Sequence, residues 1–160
     1  GRNFTTELQE LEATYKWAMG VSIERLTAAI SASAPYSLVS VGSGGSFTAA
    51  HLACVLHQKY TGKVSKAMTP LELMSSRFDT RSTAMMVLSA AGSNKDIISA
   101  AEYAAVREPR RCIFFCLRKG SVLSNLSNSF NSVDHIELSP PSAKDGFLST
   151  MLPRIKKWIP

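Results

Sequence analysis

The stretch Tyr36-Ser37-Leu38-Val39-Ser40-Val41-Gly42-Ser43-Gly44-Gly45-Ser46-Phe47 decides the fold. Its first six residues form a short, mostly apolar run. Five small residues then turn the chain, and a helical pattern follows from Phe47 to Tyr60. The order apolar run, glycine-rich turn, helix is that of a strand feeding a crossover helix. The same order recurs downstream. Thr83-Ala84-Met85-Met86-Val87-Leu88 is a continuous apolar run, as suits a strand covered on both faces. Ser89-Ala90-Ala91-Gly92-Ser93-Asn94 breaks it, and residues Asp96 to Arg107 are helical, with Ser93 and Asp96 predicted as an N-terminal box. Glu108-Pro109 stops that helix.

Between these two units, Val64 to Met68 is predicted as a second strand, and Thr69-Pro70 opens a short turn or helix through Met74. Beyond them, Arg111 to Leu117 and Val133 to Leu138 are predicted as strands, joined by a weak Ser/Asn-rich helix or loop over 120–130. Pro140-Pro141 ends the last strand and a helix starts near Lys144. Ahead of everything, Leu8, Leu11, Tyr15, Met19, Ile23, Leu26 and Ile30 recur at three- and four-residue intervals, one face of a long N-terminal helix over 6–32. Thr6-Glu7-Leu8-Gln9 is predicted to cap it, and Gly20 marks a kink or break.

Strands alternating with helices imply a parallel sheet with right-handed crossovers. Five of them predict a three-layer αβα domain with the flavodoxin-like strand order 2-1-3-4-5. In that order strands one and three are neighbours, the winding reverses between them, and ligands sit at their carboxyl ends. The two loops richest in Gly and Ser follow those two strands. The expected organisation is an N-terminal helical segment, 1–34, packing on the domain or a partner; a ligand-binding domain, 35–152; and a tail, 153–160. Pro153 and Pro160 would break the last helix early, so the chain is expected to be the first half of a longer protein or a truncated variant.

The size and composition agree with a globular domain: 160 residues, 45% hydrophobic and 19% charged. No stretch approaches the ~20 apolar residues of a membrane span, and the first residues lack the apolar core of a signal peptide. Three cysteines, Cys54, Cys112 and Cys116, have no metal-like spacing. Cys112 and Cys116 read as small buried hydrophobes, no metal is expected, and free thiols fit a reducing cytoplasm. The net charge of +6 arises from small basic groups such as Arg107, Arg110 and Arg111, which read as solvated element ends. No nucleic-acid motif accompanies them, so neither nucleic acid nor membrane is expected as a partner.

Glycines let a loop approach a ligand closely, and a helix starting behind it aims free N–H groups and the positive end of its dipole into the crevice. Gly42, Ser43, Gly44 and Ser46 supply this chemistry once; Ser89, Gly92, Ser93 and Asn94 supply it again on the neighbouring strand. Two such turns side by side suit a dianion. A P-loop is excluded, since Gly62-Lys63 has His57 at the first glycine position and Val64 after the lysine. A dinucleotide fingerprint fails at Phe47, which stands at the third glycine. FMN remains a competitor on this fold, although no clear aromatic pair is present to sandwich its ring.

These motifs resemble the sugar isomerase (SIS) domain family over roughly Ser37 to Thr150. Gly42-Ser43-Gly44-Gly45-Ser46 matches the family's Gly-x-Gly-x-Ser loop. Ser89 to Asp96 is similar to its Ser-x-Ser-Gly-x-Thr-x-Asp/Glu motif. Ala143-Lys144-Asp145-Gly146-Phe147-Leu148-Ser149-Thr150 resembles the Glu-x-Gly-x-x-Ser-Thr pattern of the isomerase domain of glucosamine-6-phosphate synthase. The resemblance implies a phosphorylated sugar as ligand, no cofactor, and a homodimer or a second such domain completing the site. It implies that Ser43, Ser46, Ser89 and Asn94 contact the phosphate and that Ser149 and Thr150 lie near the sugar. Two departures stand out: Ala91 replaces a serine and Asn94 a threonine. Asn94 can still donate through its amide; Ala91 cannot.

Isomerisation of an aldose to a ketose moves a proton between adjacent carbons and needs a carboxylate base. The resemblance puts that base in the third motif, where this chain has Lys144, a cation at neutral pH. Asp145 is the nearest carboxylate and reads equally as a helix cap, and His51 stands one helical turn past the first loop. Three readings stay open: an isomerase-type sugar-phosphate-binding domain, a non-catalytic domain that senses a sugar phosphate, and a flavin- or nucleotide-binding domain.

Overall fold

A computed structural model describes residues 4–140. The third motif, with Lys144, Asp145, Ser149 and Thr150, and the tail 153–160 lie outside the described residues, as do the side chains of Thr6 and Glu7 on which the N-terminal capping box rests.

Five strands form one parallel sheet: β1 (Ser37–Val41), β2 (Ser65–Met68), β3 (Thr83–Ser89), β4 (Arg111–Cys116) and β5 (Val133–Glu137). Their order is β2-β1-β3-β4-β5, the expected doubly wound layout. All seven residues of β3 are buried, which is why its sequence is apolar without alternation. The alternation appears in which face each residue serves. Leu38, Ala84, Met86, Ile113 and Ile136 pack one core; Val39, Val41, Met85, Val87 and Phe114 pack the other.

The helices divide accordingly. The N-terminal region is two helices, α1 (Phe4–Gly20) and α2 (Glu24–Ser33), because the chain breaks just after Gly20. Glycine costs a helix interior about 1 kcal/mol, and here the helix stops there. Leu26 and Ala29 of α2 join the first core, together with Ala50 and Cys54 of α3 (Gly45–Thr61). Leu73 of α4 (Pro70–Ser75), the alanine-rich face of α5 (Lys95–Val106) and Leu123 of α6 (Val122–Ser127) join the second. So α3 and α5 lie on opposite faces of the sheet. The apolar stripe of α1 is not covered as its periodicity suggests: Leu8, Tyr15 and Met19 are exposed.

Local signals account for most boundaries. Thr69 and Glu72 form a reciprocal capping box around Pro70, which sits in the first turn of α4. β2 begins at Ser65 rather than Val64, which is 74% exposed and outside the ladder. The Ser/Asn-rich segment after β4 resolves into the short α6, capped by Ser121 through Ser124 N–H. Among the described residues, no helix is long and apolar enough to cross a membrane.

Candidate functional site

The first loop leaves β1 at Val41. Gly42 is buried, and its N–H donates to Met68 O at 3.2 Å, tying the loop to the end of β2. A Cβ at Gly42 would sit 2.7 Å from Phe47 N and closer still to the Ser46 carbonyl. Only glycine lets the chain fold back so tightly on the start of α3. Gly44 follows with φ +56° as the N-cap of α3, and no side chain caps this helix end. Ser46 N–H reaches Ser43 O at 3.1 Å and Phe47 N–H reaches Gly44 O at 3.0 Å. The turn is thus closed by its own backbone, and the positive end of a 17-residue helix is presented without a side-chain acceptor across it. Ser43 is exposed and Ser46 half-buried beside it.

The second loop is built differently. Ser89 ends β3 as a buried residue, and its Oγ accepts the Gly92 N–H at 3.0 Å. The hydroxyl hydrogen of Ser89 remains available to donate. Gly92 has φ +64°, and a Cβ there would overlap the Ser121 side chain. Leu117 N–H to Ala90 O at 3.1 Å and Leu123 N–H to Gly92 O at 2.9 Å stitch the loop to the exit of β4 and to α6. The expected Ser93–Asp96 box is not what caps α5. Asn94 is the N-cap, its Oδ1 accepting Ile97 N–H at 3.1 Å. The left-handed turn at Gly92 delays the helix start by one residue, so the cap falls on Asn94. Its Oδ1 being engaged, its amide NH₂ is the group left to face a ligand. Ser93 and Asn94 are both exposed.

The sheet brings the two loops together. Val41 pairs with Val87 in the β1–β3 ladder, so both loops leave the same edge of the sheet from adjacent strands. The helices behind them run down opposite faces, and their N-termini flank that edge. Chemically this is an arrangement of uncharged donors and two helix dipoles suited to an anion. His51 lies one turn into α3, exposed, with its ring edge-on to Phe47 at 4.7 Å. It is close enough to act on Glu72, whose carboxyl is held below its ordinary pKa first by hydrogen bonds from Thr69 and then by Lys66 and His51.

Sequence reasoning missed one cluster. His135 was placed away from the motifs and Cys116 among the buried hydrophobes. The β4–β5 register puts Cys116 opposite Glu137, with His135 two residues earlier on the same face. The spacing His135-x-Glu137 on one strand, next to a strand-end cysteine, is the signal that could have found it. A concavity lined by Ser76, Arg77, Phe78, Tyr103 and Arg107 lies at the far end of α5 from the glycine loops. There Arg107 stacks 3.5 Å over the Tyr103 ring.

This topology, with glycine-serine loops where the winding reverses, has the fold of the sugar isomerase (SIS) domain. No family model matches the chain, and no curated protein is similar to it in sequence. Solved structures are similar. The Vibrio vulnificus NanR protein complexed with ManNAc-6P superposes with TM-score 0.65 at 15% identity, over 92% of this chain and 55% of that one. The C-terminal domain of glucosamine-fructose-6-phosphate aminotransferase from Francisella tularensis gives 0.64 at 13% identity, over 86% and 39%. The E. coli CFT073 protein c3406, solved with a phosphosugar, gives 0.60 at 15% identity, over 94% and 85%. The chain therefore spans about half the length of NanR, and identities this low establish the fold alone.

Proposed function

We propose that this chain is a phosphosugar-binding domain of an isomerase-type protein, gripping the phosphate between the loops that follow β1 and β3. The observation that carries the reading is the Val41–Val87 pairing, which sets the two loops side by side at the switch point of the sheet. Ser43, Ser46 and the first N–H groups of α3 donate from one side. Ser89, Ser93, the Asn94 amide and the start of α5 donate from the other. Gly42, Gly44 and Gly92 hold the backbone in the required turns. Two structural neighbours bound to phosphosugars support the choice of ligand. Ser149 and Thr150 face the sugar in this reading. A second copy or a second domain of this kind covers α1, whose Leu8, Tyr15 and Met19 are exposed.

A second reading, binding without catalysis, is favoured by one specific feature: Lys144 occupies the position where the resemblance calls for a glutamate. Asp145 and His51 are the remaining candidates for proton transfer.

Thermal unfolding in the presence of hexose, pentose and amino-sugar phosphates, FMN and nucleotides tests the ligand class. A ligand at about 100 times its Kd adds about 2.7 kcal/mol. Stabilisation by a sugar phosphate and not by the free sugar is the expected result; stabilisation by FMN alone would overturn it. Deuterium uptake from solvent at the carbon next to the carbonyl then separates an isomerase from a binding domain.

A further inference from the structure

We propose that Cys116, His135 and Glu137 form a binding site for a zinc-class transition-metal ion at the carboxyl edge of β4 and β5. Cys116 Sγ lies 3.7 Å from His135 Nε2, and His135 Nε2 lies 3.7 Å from Glu137 Oε1. One ligand atom from each residue falls within 4.8 Å of the other two. Zinc holds thiolate sulfur at about 2.3 Å and imidazole nitrogen or carboxylate oxygen at about 2.0–2.2 Å, with tetrahedral angles. Those values separate sulfur from nitrogen by about 3.6 Å and nitrogen from oxygen by about 3.4 Å. The observed spacings are within a few tenths of an ångström of both. They are too long for an imidazole–carboxylate hydrogen bond, which closes to about 2.7–3.2 Å.

The donor set also selects the ion. A thiolate with an imidazole and a carboxylate suits zinc and its neighbours, whereas magnesium and calcium want oxygen alone. The fold holds the ligands before any ion arrives. Cys116 is fully buried, and the His135 and Glu137 side chains are 18% and 22% exposed. Gly120 N–H donates to Glu137 Oε1 at 3.1 Å, orienting the carboxylate as outer-shell partners of metal ligands do. Three protein ligands leave a fourth position, open to solvent or to Ser121 Oγ, 3.5 Å from the sulfur. Binding replaces the thiol proton of Cys116 with the metal and releases it to solvent. Cys116 pairs with Ser89 in the β3–β4 ladder, so the ion would stand one strand from the second loop. The proposal does not depend on what that loop binds.

The test is titration of the chelator-treated full chain with cobalt(II), whose tetrahedral thiolate complexes show visible ligand-field bands and a near-ultraviolet charge-transfer band. One equivalent is expected to bind with both features, and zinc to bleach them. Cys116→Ser is expected to abolish the charge-transfer band, Glu137→Gln and His135→Gln to weaken cobalt binding at least tenfold, and Cys54→Ser to change neither. Should Cys116→Ser fail to fold, the Glu137→Gln result decides, since that residue is partly exposed and the change is isosteric. Absence of stoichiometric cobalt binding, or the same affinity in Glu137→Gln, would overturn the site.

Discussion

Ser89 and Gly92 are joined by a hydrogen bond from the Gly92 N–H to the Ser89 Oγ, 3.0 Å long and buried at the end of β3. A strand-end hydroxyl therefore shapes the turn that opens α5, and one side chain serves both the fold and the candidate ligand site. Ser89→Ala should leave a buried N–H without its acceptor and cost about 1–3 kcal/mol of stability. Denaturant unfolding measures this. A cost near zero would mean that water replaces the hydroxyl and the turn does not rely on it.

Gly92→Ala should destabilise by at least ~1 kcal/mol, because φ is +64° and a Cβ would strike Ser121. Adding Ser121→Gly should recover the part due to overlap and leave the part due to backbone strain. Full recovery in the double variant would assign the whole cost to packing.

Asn94→Ala should lower stability by about 1 kcal/mol through loss of the α5 cap. Asn94→Asp should keep the cap, since Asp caps about as well as Asn. It should nevertheless weaken binding of a sugar phosphate, by placing a carboxylate against the dianion. Equal phosphate affinity in Asn94→Asp would remove Asn94 from the site.

His57 sets a pH dependence. Its Nδ1 is 2.9 Å from Ser65 Oγ, while its buried Nε2 has no hydrogen-bond partner. Burial pushes the imidazole below its ordinary pKa, opposed weakly by the backbone of Ser33. A lowered value means that the unfolded chain takes up the proton first. Stability is then full above the unfolded value of about 6.5 and falls as pH drops through it toward the folded value. Unfolding free energies between pH 7.5 and 5 should show this decline, and His57→Gln should make it shallower.

The thiols of Cys54 and Cys112 should be inert in the folded protein. Burial raises them to about 11 and about 12 respectively, and thiolate is the reacting form. Alkylation at pH 8 should label neither until denaturant is added. Labelling of either at the rate of a free thiol would contradict their burial.

The layered sheet was legible because its signals are local. β1 and β3 are apolar runs ended by glycine turns, and the strand order follows from the alternation with helices. Gly20 carried the break of the first helix in its own identity. Other features depend on tertiary placement. Ser93 and Asn94 both suit a helix cap, and only the left-handed turn at Gly92 assigns it to Asn94. Val64 is β-prone but falls one residue outside the ladder. The meeting of Cys116 with His135 is set by the register between two strands about 20 residues apart, which no local pattern encodes. The exposed stripe of α1 shows the converse: periodicity marks an apolar face without naming what covers it.

The central claim is that the two glycine-serine turns hold one phosphate between them. Backbone amide spectra of the ¹⁵N-labelled chain, recorded while glucosamine 6-phosphate and then glucosamine are added, test it directly. The account expects the phosphate to move the amides of Gly44, Gly45 and Ser46 together with those of Ser93 to Asp96, with one common Kd, and the free sugar to leave them in place. Shifts confined to one turn, or centred on Arg77 and Arg107 at the opposite end of α5, would contradict it.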